Sequence, residues 1–233
     1  MRIKLVISAG HSLGEYCALT CAGTLDFVNA LKLVKVRAKL MQECNNSMSG
    51  GMTAVKGLEE GLLRKICFDI RGDKVLDIAC YNSPKQMVVS GNLDLMDTLA
   101  KEAAKYGGKT VMLQVIGAFH SKLMAQAGNL FSDELRKVEF KDFEYDVISS
   151  ITDEVYKSKD EIRKNLVEQF LKPVKWCNVI NNIKEYNVDS YIEMNLSRVM
   201  RKLIKENLNQ RNVLSFSDES ELEKIKNYIL TKV

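Results

Sequence analysis

Phe27, Ala30, Val34, Met41 and Cys44 recur at helical spacing and form one apolar stripe, predicting a long helix over residues 25–44. Upstream, a short apolar run over residues 3–7 predicts a strand, and residues 13–22 predict a helix closed by Gly23. Small and polar residues over 47–51 then break the pattern. Behind them come a strand (52–55), a helix (59–68), strands over 75–81 and 86–90, a helix (93–106) and a strand (110–115). This β-α-β-β-α-β order is the ferredoxin-like split motif. It predicts a compact α+β subdomain inserted over residues 46–116, between flanks at 1–45 and 117–233. The second flank reads as helix (121–131), loop and strand (137–147), helix (159–169), strand (191–194), helix (196–207) and a closing strand and helix over 213–230. Strands alternating with helices in both flanks predict an α/β core with a mostly parallel sheet.

Composition narrows the function. The 233 residues, 46% hydrophobic and 27% charged, can bury a substantial core without a disordered linker. A net charge of +4 is spread along the chain, with no basic block interleaved with aromatics, so no nucleic acid is expected as a partner. The run Arg198, Arg201, Lys202 and Lys205 reads either as a surface for an acidic partner or, more commonly for such runs, as a solvated helix face. Six cysteines show no C-x-x-C spacing, and with only two histidines present they read as free thiols rather than metal ligands. No P-loop or dinucleotide turn is present, so neither a metal nor a cofactor is expected. No run is long enough for a membrane span or shaped as a signal peptide. A cytoplasmic monomer with no membrane partner is the expectation.

Gly10-His11-Ser12-Leu13-Gly14 is a G-x-S-x-G run between a predicted strand and a predicted helix, the setting of a nucleophile elbow. Glycine is expected on both sides because a Cβ at either position should clash at so tight a bend. A serine hydroxyl needs a base to take its proton, and histidine titrates in the right range. His11 adjoins the serine and should point away from it, which leaves His120, in Gly117-Ala118-Phe119-His120-Ser121, as the candidate base. Arg37 sits inside the apolar stripe of the long helix. Such a guanidinium either reaches solvent, pairs with a structural carboxylate, or receives the carboxylate of a ligand.

The segment from Gly10 to Tyr16 resembles the active-site segment of the malonyl-CoA:acyl carrier protein transacylases, a family that includes the acyltransferase domains of polyketide synthases. Further segments resemble that family in the same order along nearly the whole chain. Gly51-Met52-Thr53-Ala54 is similar to the start of its inserted subdomain, Asn82-Ser83-Pro84 with Gln86 to its N-x-P-x-Q segment, and Gly117 to Ser121 to its histidine motif. The resemblance implies a hydrolase-like acyltransferase core carrying a ferredoxin-like subdomain. It implies Ser12 as nucleophile and His120 as its base, 108 residues apart, with Arg37 holding the malonyl carboxylate. It also implies that Leu13 contributes its N–H to the oxyanion hole, that Asn82 borders the site, and that Phe119 narrows the pocket against α-branched acyl groups. The backbone carbonyl of Gln169 is the implied partner that orients the histidine. Malonyl-CoA and an acyl carrier protein are the implied substrates, in fatty acid synthesis.

Two departures from the family pattern keep alternatives in view. The family begins further upstream, with a glycine- and glutamine-rich segment that supplies a second oxyanion donor, so a truncated, inactive transacylase or binding module is one alternative. Glu193-Met194-Asn195-Leu196-Ser197 stands where Glu-Ile-Gly-Pro-Gly is usual. A serine esterase or thioesterase is the other alternative. The α/β-hydrolase order expects an acid between serine and histidine, and the candidates there, Asp94 and Asp97, lie in the predicted insertion.

Overall fold

β1 (Ile7–Ala9), α1 (Gly14–Cys21) and the long α2 (Phe27–Ser47) lead into β2 (Gly50–Lys56). The computed structural model describes residues 4–47, 49–194, 198–208, 213–216 and 219–231. Then follow α3 (Glu60–Arg71), β3 (Leu76–Ser83), β4 (Gln86–Asn92), α4 (Met96–Lys105) and β5 (Lys109–Met112). The rest of the chain forms α5 (Ala125–Arg136), β6 (Asp146–Ile148), α6 (Lys159–Glu168), α7 (Trp176–Lys184), β7 (Tyr191–Glu193), α8 (Val199–Leu208), β8 (Val213–Ser215) and α9 (Glu219–Thr231).

The β-α-β-β-α-β pattern folds as its order predicts. β3, β4, β2 and β5 lie side by side in that order and pair antiparallel throughout, the ferredoxin-like arrangement. Alternation along the strands buries both faces, because successive side chains point to opposite sides. Met87 and Val89 pack with Leu63, Ile66 and Leu99 of α3 and α4. Val88 between them packs on the other side with Trp176, Val179 and Ile180.

The flanks form the parallel part of the fold. β1 pairs with β6 and β7 with β8, both in parallel. α1, α2, α5 and α6 share a core built on Tyr16, Leu19, Leu33, Phe131, Leu166 and Phe170. Two backbone bonds tie the antiparallel sheet to this half, from Tyr81 N to the Val174 carbonyl (2.8 Å) and from Val174 N to the Ala79 carbonyl (2.9 Å). They hold the end of β3, and with it Asn82, beside the elbow. Among the described residues no helix is long and apolar enough to cross a membrane.

Some boundaries differ from the pattern. The first strand is Ile7–Ala9 rather than residues 3–7, because pairing with β6 begins only at Ile7, while Leu5 is exposed. The helix expected from residue 93 begins as a 3₁₀ turn (Leu93–Leu95), and the one expected from 121 begins as another (Lys122–Met124). β5 ends at Met112 instead of 115. α7 has no counterpart among the predicted elements, although Trp176, Val179, Ile180 and Ile183 fall at helical spacing. Of the divergent segment, Asn195, Leu196 and Ser197 lie outside the described residues, as does the expected start of α8 at residue 196.

Candidate active site

Ser12 sits between the end of β1 and the start of α1 with φ of 52°. That left-handed backbone is uncommon for a residue with a Cβ, and it lifts the hydroxyl clear of the chain. The turn closes by bonds from Gly14 N to the His11 carbonyl (3.0 Å) and from Glu15 N to the Ser12 carbonyl (3.1 Å). Only one of the two glycines is demanded by space. A Cβ on Gly10 would lie 1.9 Å from the Gly14 carbonyl carbon and 2.3 Å from Glu15 N, whereas a Cβ on Gly14 meets nothing within 4 Å. The expectation of a clash at Gly14 is therefore corrected. That residue already has helical geometry, and its Cβ direction faces open space. Gly10→Ala must displace the first turn of α1, and overpacking against backbone costs about 3 kcal/mol or more, a fall of roughly 10 °C in Tm. Gly14→Ala should melt close to the parent. Equal melting of all three proteins would refute the steric reading of the elbow.

Ser12 Oγ lies 2.8 Å from Nε2 of His120, and Nδ1 of His120 lies 2.7 Å from the backbone carbonyl of Gln169. Chemistry assigns the protons. A carbonyl only accepts, so Nδ1 carries hydrogen and Nε2 presents its lone pair to the serine O–H. Gln169 follows the last residue of α6, where helix carbonyls have no partner within the helix. Its carbonyl is thus free to take the imidazole N–H, and the negative end of the helix dipole favours charge developing on that ring. His120 has φ of 58° and is buried. Burial, then the Arg37 guanidinium, then His11 push its pKa down to about 3, so the ring is neutral and able to accept a proton at ordinary pH.

Arg37 projects from α2 into the same space. Its Nη2 donates to Ser12 Oγ (3.0 Å) and to Gln169 Oε1 (3.2 Å), and the guanidinium lies against the rings of Tyr16 and Phe170. The side chain is only 7% exposed. It does not reach solvent, and it makes no ion pair with any described residue. Its Nε is buried without a hydrogen-bond partner. Burying a guanidinium this incompletely paired is costly, and burial holds its pKa below the usual arginine value. Of the readings open from sequence, Arg37 matches neither the solvated one nor, among the described residues, the structurally paired one.

The other predicted residues fall nearby in different ways. Leu13 begins the turn into α1 with its side chain 48% exposed. Phe119 is partly buried between the two cores beside His120. Asn82 does not contact the serine. Its Oδ1 accepts from Nε2 of His11 (2.8 Å), and its backbone carbonyl accepts from Asn207 Nδ2 (2.8 Å). His11 rests edge-on against Trp176, turned away from the serine as its position in the motif requires. Buried Glu15 was not singled out by the sequence. It accepts from Ser150 Oγ, Ser150 N, Tyr156 Oη and Gln169 Nε2, on partners 135 to 154 residues away. No local motif announces contacts at that separation.

The arrangement can do acyl transfer: a hydroxyl with a neutral base, an oriented imidazole and an adjoining cation with donors to spare. The profile of the acyl transferase domain matches residues 6–226. A malonyl CoA-acyl carrier protein transacylase of Staphylococcus aureus (strain MRSA252) is 36% identical over 198 residues, covering 84% of this chain and 64% of the relative. One of Bacillus subtilis is 34% identical over 204 residues, covering 87% of this chain and 51% of the relative. The chain thus spans less than two thirds of the length of these relatives. Among solved structures, the malonyl CoA-acyl carrier protein transacylase of Clostridium perfringens superposes with a TM-score of 0.92 at 32% identity, over 99% of this chain and 73% of that one. A malonyl-transacylase in complex with a type II polyketide acyl carrier protein superposes at 0.93 with 29% identity, over 97% of this chain and 74% of that one.

Proposed function

The chain belongs to the acyl transferase domain family, and from that premise we propose that it carries a malonyl group from malonyl-CoA to the phosphopantetheine thiol of an acyl carrier protein. The observation that carries this reading is Ser12 Oγ held between Nε2 of His120 and Nη2 of Arg37, a base on one side and an underpaired buried cation on the other. A neutral acyl group has no use for that cation. A malonyl carboxylate gives it a bidentate partner.

The reaction runs through an ester. As Ser12 Oγ attacks the thioester carbonyl, its proton passes to Nε2 of His120, and the carbonyl oxygen takes up the negative charge against the N–H of Leu13 at the start of α1. The C–S bond then breaks, and the imidazolium returns its proton to the departing coenzyme A thiolate. Gln169 holds the ring through its carbonyl in the place of a triad acid, adding orientation without a full charge. A second thiol, that of the carrier protein, repeats the steps in reverse. Phe119, adjacent to His120 and partly buried, would limit the α-carbon of the acyl group. Asn82 acts at one remove, by holding His11 against Trp176. We propose the same division of the chain as the sequence pattern suggests, the four-stranded unit at 46–116 lying over a transferase core formed by both flanks.

The test is intact mass after mixing with malonyl-CoA. The parent should gain one malonyl group and pass it to an added carrier protein, and Ser12→Ala should gain none. Release of free malonate in the absence of carrier protein would mark a hydrolase instead. No adduct on folded parent protein would refute the proposal.

A further inference from the structure

Gln169 touches both groups that flank the serine. Its backbone carbonyl accepts from His120, its side-chain Oε1 accepts from Arg37, and its Nε2 donates to Glu15 Oε2 at 2.6 Å and to the Ser12 carbonyl at 3.3 Å. The amide can face only one way. A guanidinium donates and never accepts, and Glu15 accepts at both oxygens, because donors from Ser150, Tyr156 and Gln169 face it and work against the burial that raises its pKa. Glu15, which takes the shortest of the bonds from Nε2, therefore locks the Gln169 oxygen toward Arg37. Glu15 is itself held at Oε1 by Tyr156 Oη at 2.5 Å and at Oε2 by Ser150 Oγ at 2.6 Å, the latter beside Gln169 Nε2. An acidic residue in the first turn of a helix is ordinarily a solvated complement to the helix dipole, but this one is 1% exposed and turned inward.

We propose that Glu15 is a positioning residue for acyl transfer, fixing the Gln169 amide so that one residue presents Arg37 and His120 together to the Ser12 hydroxyl. The proposal rests on the transacylase reading for its substrate but not for its geometry. Exchanging the carboxylate for an amide puts an N–H where an oxygen stood. If that N–H faces Gln169, the Gln169 amide must rotate and oppose a donor to Arg37. If it faces the Ser150 N–H, the clamp on Glu15 itself opens. Both outcomes loosen Arg37 without removing it.

The experiment compares parent, Glu15→Gln and Gln169→Met, the last keeping the backbone carbonyl while deleting every side-chain hydrogen bond of Gln169. Two rates are read by intact mass: sulfonylation of Ser12 by phenylmethanesulfonyl fluoride, which carries no carboxylate, and acylation by malonyl-CoA against acetyl-CoA. With cooperative melting retained, both variants should sulfonylate about tenfold more slowly than the parent and lose about tenfold in malonyl-over-acetyl preference. In an Arg37→Ala background, Glu15→Gln should change that preference no further, which a merely structural role does not predict. Folded Glu15→Gln or Gln169→Met with parental sulfonylation and preference would overturn the proposal, as would a full additional loss in the Arg37→Ala background. Should Glu15→Gln fail to fold, Gln169→Met decides. A parent that takes the sulfonyl group but no malonyl group refutes the transacylase reading, and sulfonylation still decides the role of Glu15.

Discussion

His120→Ala is expected to slow acylation of Ser12 by malonyl-CoA on the order of 10⁴-fold, with the melting temperature little changed. The size follows from what the ring does in both directions. In the proposed reaction it takes the serine proton as the C–O bond forms and returns it as the C–S bond breaks, and no other described side chain has a lone pair within reach of Ser12 Oγ. The same ring sets the pH dependence. Its pKa is pushed down to about 3 by burial, by Arg37 and by His11. Protonation, which disables the base, then comes far below the ordinary histidine range, so kcat/KM should hold as pH falls from 8 to about 5. An acid limb near the usual histidine value would show that Nε2 is not the free-enzyme base in the environment described. Loss of less than tenfold in His120→Ala would remove His120 from the mechanism altogether.

Those parts of the molecule that depend on local pattern were legible in the chain. The elbow follows from its G-x-S-x-G run, and the β-α-β-β-α-β unit and the helix carrying Arg37 follow from period-2 or period-3.6 spacing over a few turns. What the spacing could not show was convergence. Arg37 alone reads as solvated, paired or receptive, and only its burial beside Ser12 without a carboxylate among the described residues motivates the proposal that it is receptive. Glu15 lay within the motif but carried no signal, because Ser150, Tyr156 and Gln169 arrive from the other half of the chain. The resemblance sets Asn82 at the border of the site; in the fold its side chain meets His11 rather than the serine, since two bonds between β3 and Val174 set where that strand ends. Gly14 departs from its expectation for a related reason. A pattern shows that glycine is present without showing whether the space around it needs one.

Arg37→Ala is the prediction that separates this site from a general serine transferase. Malonyl-CoA should lose about 10²–10³-fold in kcat/KM, since removing one partner of a buried charge pair costs about 2–5 kcal/mol. Acetyl-CoA should lose far less, about tenfold, through the donor withdrawn from Ser12 Oγ. Deleting the guanidinium does withdraw a donor from Ser12 Oγ and from Gln169 Oε1, but that loss falls on both substrates and cancels in their ratio. It also removes a positive charge that holds the His120 pKa down, so the base left behind is stronger for an acyl group that brings no carboxylate of its own. A malonyl group, by contrast, offsets that charge when it binds and loses its anchor when the arginine is gone. Arg37→Lys should recover only part of the preference, because an ammonium cannot form the planar two-point pair. Steady-state rates on the two thioesters measure both variants. If malonyl and acetyl transfer fall together in Arg37→Ala, the arginine supports the serine without reading the substrate, and selectivity for an acidic acyl group must come from elsewhere in the pocket.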